Sequence, residues 1–156
     1  MIELPRDPDR PSGPRFGALV HAALAAVRLD ADADQVRQIA ALYARILGAD
    51  DTEAAAAAAV VRSALTHPLM VRARVAMAQG HCRRETPITL MLADATLVEG
   101  VLDLSFREND AWIVVDFKTD RELEKELAHY KRQVGLYVAS VEQATGHPCD
   151  GILMRV

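Results

Sequence analysis

Two acids and a lysine occupy positions in this chain where charge is costly. Asp103 interrupts the apolar run Val98-Glu99-Gly100-Val101-Leu102-Asp103-Leu104-Ser105-Phe106, and Asp116 with Lys118 closes the run Ile113-Val114-Val115-Asp116-Phe117-Lys118-Thr119. A carboxylate in such a run must meet a cation or a hydrogen-bond donor. Side chains alternate along a strand, so Asp116 and Lys118 share one face while Phe117 takes the other. Pairing of the two runs through the intervening turn would bring both carboxylates and the ammonium to one place. Such a set suits a hard divalent cation, Mg2+ or Mn2+, that keeps several waters, with a positive group beside an attacking water or a phosphate. Taken alone, an Asp-x-Lys triplet is more often an edge-strand salt bridge than a catalytic site, since structural ion pairs are common.

Those runs need positioning elements, and the pattern supplies them. Phe16, Leu19, Val20, Ala23, Leu24 and Val27 recur by threes and fours, which predicts a helix with one apolar stripe carrying His21. A second helix is predicted over 33–47 with Gly48 as its stop, a third from Thr52 to Thr66 through six consecutive alanines, and a short fourth from Pro68 ending before Gly80. Past Arg83 the grammar changes to strands: Glu85 to Leu92, Leu97 to Phe106 and Trp112 to Lys118. Ala93-Asp94-Ala95 and Glu108-Asn109-Asp110 separate them as polar turns, giving an antiparallel meander. A charged helix from Arg121 to Ala144, closed by Gly146-His147-Pro148, and a last strand from Gly151 to Val156 complete the chain.

Four short patterns recur in order across this framework. They are Gly17-Ala18-Leu19-Val20-His21, Glu99-Gly100-Val101-Leu102-Asp103, Val115-Asp116-Phe117-Lys118-Thr119 and Gln133-Val134-Gly135-Leu136-Tyr137. Each is weak singly, but together they resemble the G-x-x-x-H, G-x-x-D, D-x-K-T and Q-x-x-x-Y motifs of the RecB-type branch of the PD-(D/E)XK nuclease superfamily. The resemblance covers the chain from about Phe16 onward, and this type of domain is usually found at the carboxyl end of UvrD/RecB-like helicase subunits. It implies an α/β (α+β) fold, a central mixed sheet of four or five strands with helices flanking both faces.

The resemblance also implies an activity, a Mg2+- or Mn2+-dependent deoxyribonuclease with an exonuclease mode, serving a helicase-nuclease in recombination and double-strand-break repair. Asp103 and Asp116 would then ligate the metal, with the Phe117 backbone carbonyl and His21 as further ligands. Lys118 would orient or deprotonate the water and offset charge in the transition state. Gln133 and Tyr137, one helical turn apart, would buttress the catalytic strand or touch the DNA backbone. Glu85 is a weaker candidate, either a further acid of the site or a surface salt bridge. Arg72, Arg74, Arg83 and Arg84 form an acid-free stretch that could track phosphates, although a solvated face is the commoner outcome for such a run. A catalytically silent nuclease fold, kept as a DNA-binding or docking module, is the alternative.

Composition bounds these readings. The chain has 156 residues, 51% hydrophobic and 26% charged, an ordinary globular balance that disfavours disorder. Its net charge of −4 argues mildly against a dedicated nucleic-acid coat protein, although metal would neutralise some of the acids. Cys82 and Cys149 lie far apart without a metal-type spacing, which suits a reducing cytoplasm. No G-x-x-x-x-G-K-[ST], G-x-G-x-x-G or H-E-x-x-H occurs, so nucleotide hydrolysis, dinucleotide binding and zincin proteolysis lack their parts. No apolar run reaches the roughly 20 residues of a membrane helix. Pro5, Pro8, Pro11 and Pro14 make residues 1–15 read as a flexible linker, with the nuclease-like domain over 16–156. The expected partners are DNA and a helicase, either a domain of the same parent chain or a separate subunit.

Overall fold

Pro14 opens α1 (Pro14–Ala26), because its ring pre-sets a helical φ and the N–H it lacks is one that a first turn leaves unpaired. The computed structural model describes residues 1–91, 94–119 and 123–156, with side chains throughout these except at 123–125. Phe16, Leu19, Val20, Ala23 and Leu24 are buried along α1, the stripe that their spacing dictates. The second helix, α2 (Ala33–Leu47), starts on a reciprocal cap between Asp32 and Gln35 and ends where Gly48 turns left-handed at φ 66°, a conformation that glycine adopts without a Cβ penalty.

The third helix, α3 (Asp51–Thr66), begins one residue before the Thr52 start expected from sequence. Its cap is Asp50: the Asp50 carboxylate accepts from the Glu53 N–H at 2.8 Å, and the Glu53 side chain accepts from the Asp50 N–H at 3.3 Å. Within the alanine run, Ala54, Ala57 and Ala58 are buried while Ala55 and Ala59 face outward. Side chains this small let α1, α2 and α3 approach closely. The fourth helix, α4 (Pro68–Ala78), closes the helical half of the sequence.

The remaining elements are the strands β1 (Ile2–Glu3), β2 (Cys82–Met91), β3 (Leu97–Glu108), β4 (Ala111–Lys118) and β5 (Cys149–Arg155), with the helix α5 (Leu123–Thr145) between the last two. The expected strand end at Leu92, the turn residue Ala93 and the expected helix start at Arg121 lie outside the described residues. β2, β3 and β4 form the antiparallel meander that the sequence predicts. Between β3 and β4 the turn is Asn109-Asp110, with φ of 49° and 63°. Two successive left-handed residues make the tight turn whose twist matches a hairpin, and Asn and Asp tolerate it.

The sheet order is β1-β5-β4-β3-β2. The Trp112 N–H donates to the Pro148 carbonyl at 2.7 Å and the Val156 N–H donates to the Lys118 carbonyl at 2.9 Å, so β4 and β5 meet start to start and end to end. They therefore run parallel, as a crossover through α5 requires, and the sheet is mixed. Pro87 sits in the edge strand β2, where a missing N–H does least harm to the ladder.

Residues 1–15, whose composition suggests a linker, hold definite structure. Ile2–Glu3 forms β1, and the Leu4 N–H donates to the Arg155 carbonyl at 2.9 Å. Arg10 is 7% exposed, donates from Nη2 to the Val156 carbonyl at 2.9 Å, and lies 5.6 Å above the Phe16 ring. A two-residue strand carries no periodicity, so no sequence pattern announces β1.

Contacts divide the chain into two compact units. One comprises Met1–Ile2, Val75–Asp116 and Glu122–Met154, and the other Glu3–Arg74, Phe117–Arg121 and Arg155–Val156. In the first, Leu102, Val114 and Tyr137 form a core with Ile88, Val141 and Cys149 against it, and Val134 with Leu153 forms another. In the second, α1, α2 and α3 contact one another, and Val36 and Ala40 of α2 and Ala57, Val61 and Ala64 of α3 are buried. There Arg15 grips buried Glu53 through Nε at 3.3 Å and Nη2 at 2.7 Å, an ion pair that satisfies the carboxylate inside the helical core.

Candidate functional site

The register between β3 and β4 sets Leu104 opposite Val115 and Ser105 opposite Val114. One residue further along each strand stand Asp103 and Asp116. Val114 packs with Tyr137 of α5, and Asp116, two residues on, shares the face of Val114 by strand alternation. Asp116 is 2% exposed, and Asp103 is half-buried.

Tyr137 ties these carboxylates to α5. Burial pushes its phenol above the ordinary tyrosine value; the hydrogen bond from Gln133 opposes the shift, and the negative charges of Asp116 and Asp103 add to it. Its hydroxyl therefore lies within electrostatic reach of both acids and is neutral near pH 7. Gln133 Nε2 donates to Tyr137 Oη at 2.8 Å, a contact that their spacing of one turn allows. Against the same ring lies Gly100, where a Cβ would stand 3.1 Å from Cε1 and 3.2 Å from Oη. The glycine of G-x-x-D is thus the surface on which the tyrosine of Q-x-x-x-Y rests.

A backbone irregularity sits beside Asp103. The ladder between β2 and β3 keeps one register from Arg84 opposite Leu104 to Thr86 opposite Leu102, and Glu85 between them, level with Asp103, has a φ of 46°. A non-glycine residue held in the left-handed region costs roughly 1–3 kcal/mol and clusters at functional sites. Glu85 itself is exposed.

The second unit holds the other singled-out residues. His21 lies half-buried on α1. One turn before it, a Cβ on Gly17 would come within 2.8 Å of Thr119 Oγ1, so the glycine of G-x-x-x-H lets α1 meet the residue that follows Lys118. Phe117 is 4% exposed, and Lys118, at the end of β4, is half-buried with its carbonyl held by the Val156 N–H.

The four arginines divide. Arg72 and Arg74 are exposed on α4, while Arg83 and Arg84 point to opposite faces of β2, the first exposed and the second half-buried. Burial lowers the pKa of the Arg84 guanidinium, with Cys82 and Glu85 acting in the other direction. Strand alternation thus separates the two side chains that the sequence groups into one basic run.

Among the described residues, no three His, Cys, Asp or Glu side chains gather to hold a metal ion. Asp103 and Asp116 bring two hard oxygen donors from neighbouring strands, which fits a Mg2+-like ion that takes one or two carboxylates and fills its other positions with water and substrate phosphate. Sequence reasoning missed the two glycine contacts, Gly100 with Tyr137 and Gly17 with Thr119. Its signal was present, since both glycines belong to the quoted motifs, but a motif does not say what its glycine must approach.

Comparison with known proteins gives this arrangement a setting. The family model of the PD-(D/E)XK nuclease superfamily matches residues 2–154. Among curated proteins, the chain is similar to an ATP-dependent helicase/nuclease subunit of Carboxydothermus hydrogenoformans, 41% identical over 58 residues, which are 35% of this chain and 5% of that protein. The like-named protein of Bacillus thuringiensis is 33% identical over 89 residues, 42% of this chain and 7% of that one. In Oceanobacillus iheyensis the figures are 30% over 88 residues, 43% and 7%. The chain thus spans under a tenth of the length of these relatives. No single described helix is long and apolar enough to cross a membrane.

Proposed function

The chain belongs to the PD-(D/E)XK nuclease superfamily, and from that premise we propose that it hydrolyses DNA phosphodiesters with Mg2+ or Mn2+, as the nuclease module of a helicase-nuclease acting in recombination and double-strand-break repair. The observation that carries the reading is the β3/β4 register, which leads directly to Asp103 and Asp116 with Tyr137 in electrostatic reach of both. The left-handed φ of Glu85 supports it, because strain of that kind persists where surrounding structure enforces it. The helicase partner rests on the names of the relatives, and a cytoplasmic setting follows from a DNA substrate.

In this proposal Asp103 and Asp116 hold the metal, with the Phe117 carbonyl and His21 as the further ligands that the family resemblance implies. A divalent metal, when bound, polarises the scissile phosphate and acidifies a bound water. Lys118, two residues from Asp116 on the same face of β4, places its ammonium where it orients the attacking water and offsets charge on the phosphoryl oxygens. Water oxygen bonds to phosphorus, the bond to the leaving sugar oxygen breaks, and that oxygen gains a proton. Tyr137 accepts from Gln133 and is neutral, so its O–H donates toward the carboxylates or a substrate phosphate. Gly100 fixes where that ring can sit. Arg72 and Arg74, exposed on α4, supply phosphate contacts outside the reacting centre.

The test is hydrolysis of end-labelled linear and circular DNA, single- and double-stranded, with Mg2+, Mn2+ or EDTA. Cleavage of linear DNA from its ends, abolished by EDTA and by Lys118→Ala, is the expected result. Cleavage of circles replaces the exonuclease mode with an endonuclease. DNA binding without any cleavage under either metal overturns the catalytic reading and leaves a silent docking module.

A further inference from the structure

The strand-bearing unit carries a concavity that none of the proposed metal or catalytic residues lines. It encloses about 390 Å3, within the range of small-ligand sites. Arg83 and Ile88 of β2, Ser105 of β3, Trp112 of β4, and Ser140 with Val141 of α5 contribute its walls.

The polar groups there are neighbours by register. Arg83 pairs with Ser105 and Ser105 with Val114, while Trp112 is one same-face step along β4 from Val114. Cross-strand and diagonal neighbours on one face lie within reach of long and aromatic side chains. Two polar atoms of wall residues, Trp112 Nε1 and Ser140 Oγ, are buried and have no hydrogen-bond partner, and Ser140 is 7% exposed. Native interiors leave few such atoms unpaired, and each one calls for an explanation.

Their chemistry limits the explanation. An indole N–H only donates, and a serine hydroxyl can donate as well as accept, so an acceptor satisfies both. No Asp or Glu lines the concavity. Arg83 Nη1 donates to the Gly80 and Cys82 carbonyls, both at 3.1 Å, which anchors the guanidinium at the rim. The rest of the wall is Pro87, Ile88, Val141 and Ala144 together with three threonines, Thr86, Thr89 and Thr145. A cation and two donors beside the aliphatic groups of Pro87, Ile88, Val141 and Ala144 fit an apolar body that ends in an anionic acceptor.

We propose that this concavity is a binding site for a small apolar carboxylic acid, aromatic or branched aliphatic, whose carboxylate accepts from Trp112 Nε1 and Ser140 Oγ and faces the Arg83 guanidinium. The site is separate from the nuclease reading and stands or falls without it. Ser140 lies one turn after Tyr137 on α5, so a bound acid also fixes the helix that carries the Gln133–Tyr137 pair.

Trp112 is the only tryptophan of the chain, so its emission reports on the site directly. The experiment titrates the whole protein in EDTA with phenylacetate, and with phenylacetamide and acetate as the neutral and the small controls. A saturable change with phenylacetate is expected, at least tenfold tighter than with either control, and weakened about tenfold by Ser140→Ala and by Arg83→Gln, as loss of a hydrogen bond to a charged group requires. No saturable change, an equal response to acetate, or unaltered affinity in both folded variants overturns the proposal. So does binding of an acetylated Phe-Asp dipeptide amide in the absence of phenylacetate binding, which would make the site a protein dock.

Discussion

Replacing Gly17 by alanine separates an effect on folding from an effect on the site. The new Cβ would stand 2.8 Å from Thr119 Oγ1, short of ordinary contact at 3.4 Å by about 0.6 Å. Threonine is stiff at χ1, and an off-rotamer turn costs about 0.5–1.5 kcal/mol, with overpacking in general at about 1–3 kcal/mol. Alanine inside α1 recovers up to about 1 kcal/mol of helix propensity, so the net loss of stability is about 0–3 kcal/mol. The site has no such compensation. Thr119 follows Lys118, whose carbonyl is already held by the Val156 N–H at 2.9 Å, so the displacement is taken up next to the ammonium. Misplacing a catalytic group by about 1 Å costs about a hundredfold, and for this smaller shift the expected loss of nuclease rate is about tenfold. Urea unfolding gives the stability and end-labelled DNA the rate. In a Thr119→Ala background, Gly17→Ala should cost less than about threefold, because the clashing oxygen is gone. A Gly17→Ala rate within twofold of the parent, or an equal loss in both backgrounds, would refute the reasoning.

Three further outcomes follow from other contacts. At Gly151 an added Cβ would lie 2.4 Å from Val134 Cγ1 and 2.9 Å from Val138 Cγ2; Gly151→Ala should lower stability by about 1–3 kcal/mol in urea, and less when Val134→Ala is also present. Asp50→Ala should cost about 0.5–2 kcal/mol by removing the cap of α3, whereas Thr52→Ala should stay within about 0.5 kcal/mol. Burial first, then the charges of Glu142 and Asp150, hold the Cys149 thiol up at about 11 against a bond involving the Val114 backbone. Its alkylation by iodoacetamide should therefore be slow at pH 8 and rise with a midpoint near 11. Because the folded thiol keeps its proton longer than the unfolded one, its contribution to stability is complete below pH 9 and lost as pH rises toward 11. Midpoints of urea curves between those limits check the sign.

The helices were legible because their signals are local. The threes and fours of α1, the Gly48 stop of α2 and Pro68 at the head of α4 each state a boundary within a few residues. Spacing alone does not separate Asp50 from Thr52 as the cap of α3, because both residue types cap well, and the return bond from Glu53 decides for Asp50. The meander could be read from its two polar turns, and the parallel placement of β5 could not, since it depends on hydrogen bonds from Trp112 to Pro148 and from Val156 to Lys118. At the candidate site, alternation fixes that Asp116 and Lys118 share a face, and register leads to Asp103. What Gly100 and Gly17 touch is a tertiary matter that spacing does not encode. The groove beside Trp112 was invisible for the same reason, being assembled from three strands and a helix without any motif.

The most direct measurement for the central claim is Mn2+ binding by calorimetry on the parent, Asp103→Asn and Asp116→Asn proteins, with DNA hydrolysis followed in the same buffer. Both substitutions preserve shape and remove the negative charge that a hard cation requires. The parent should bind Mn2+ and cleave DNA, while each variant loses binding heat and at least a hundredfold in rate with its fold intact. Variants that bind Mn2+ and cleave DNA as the parent does would contradict the claim that these two carboxylates form the metal site.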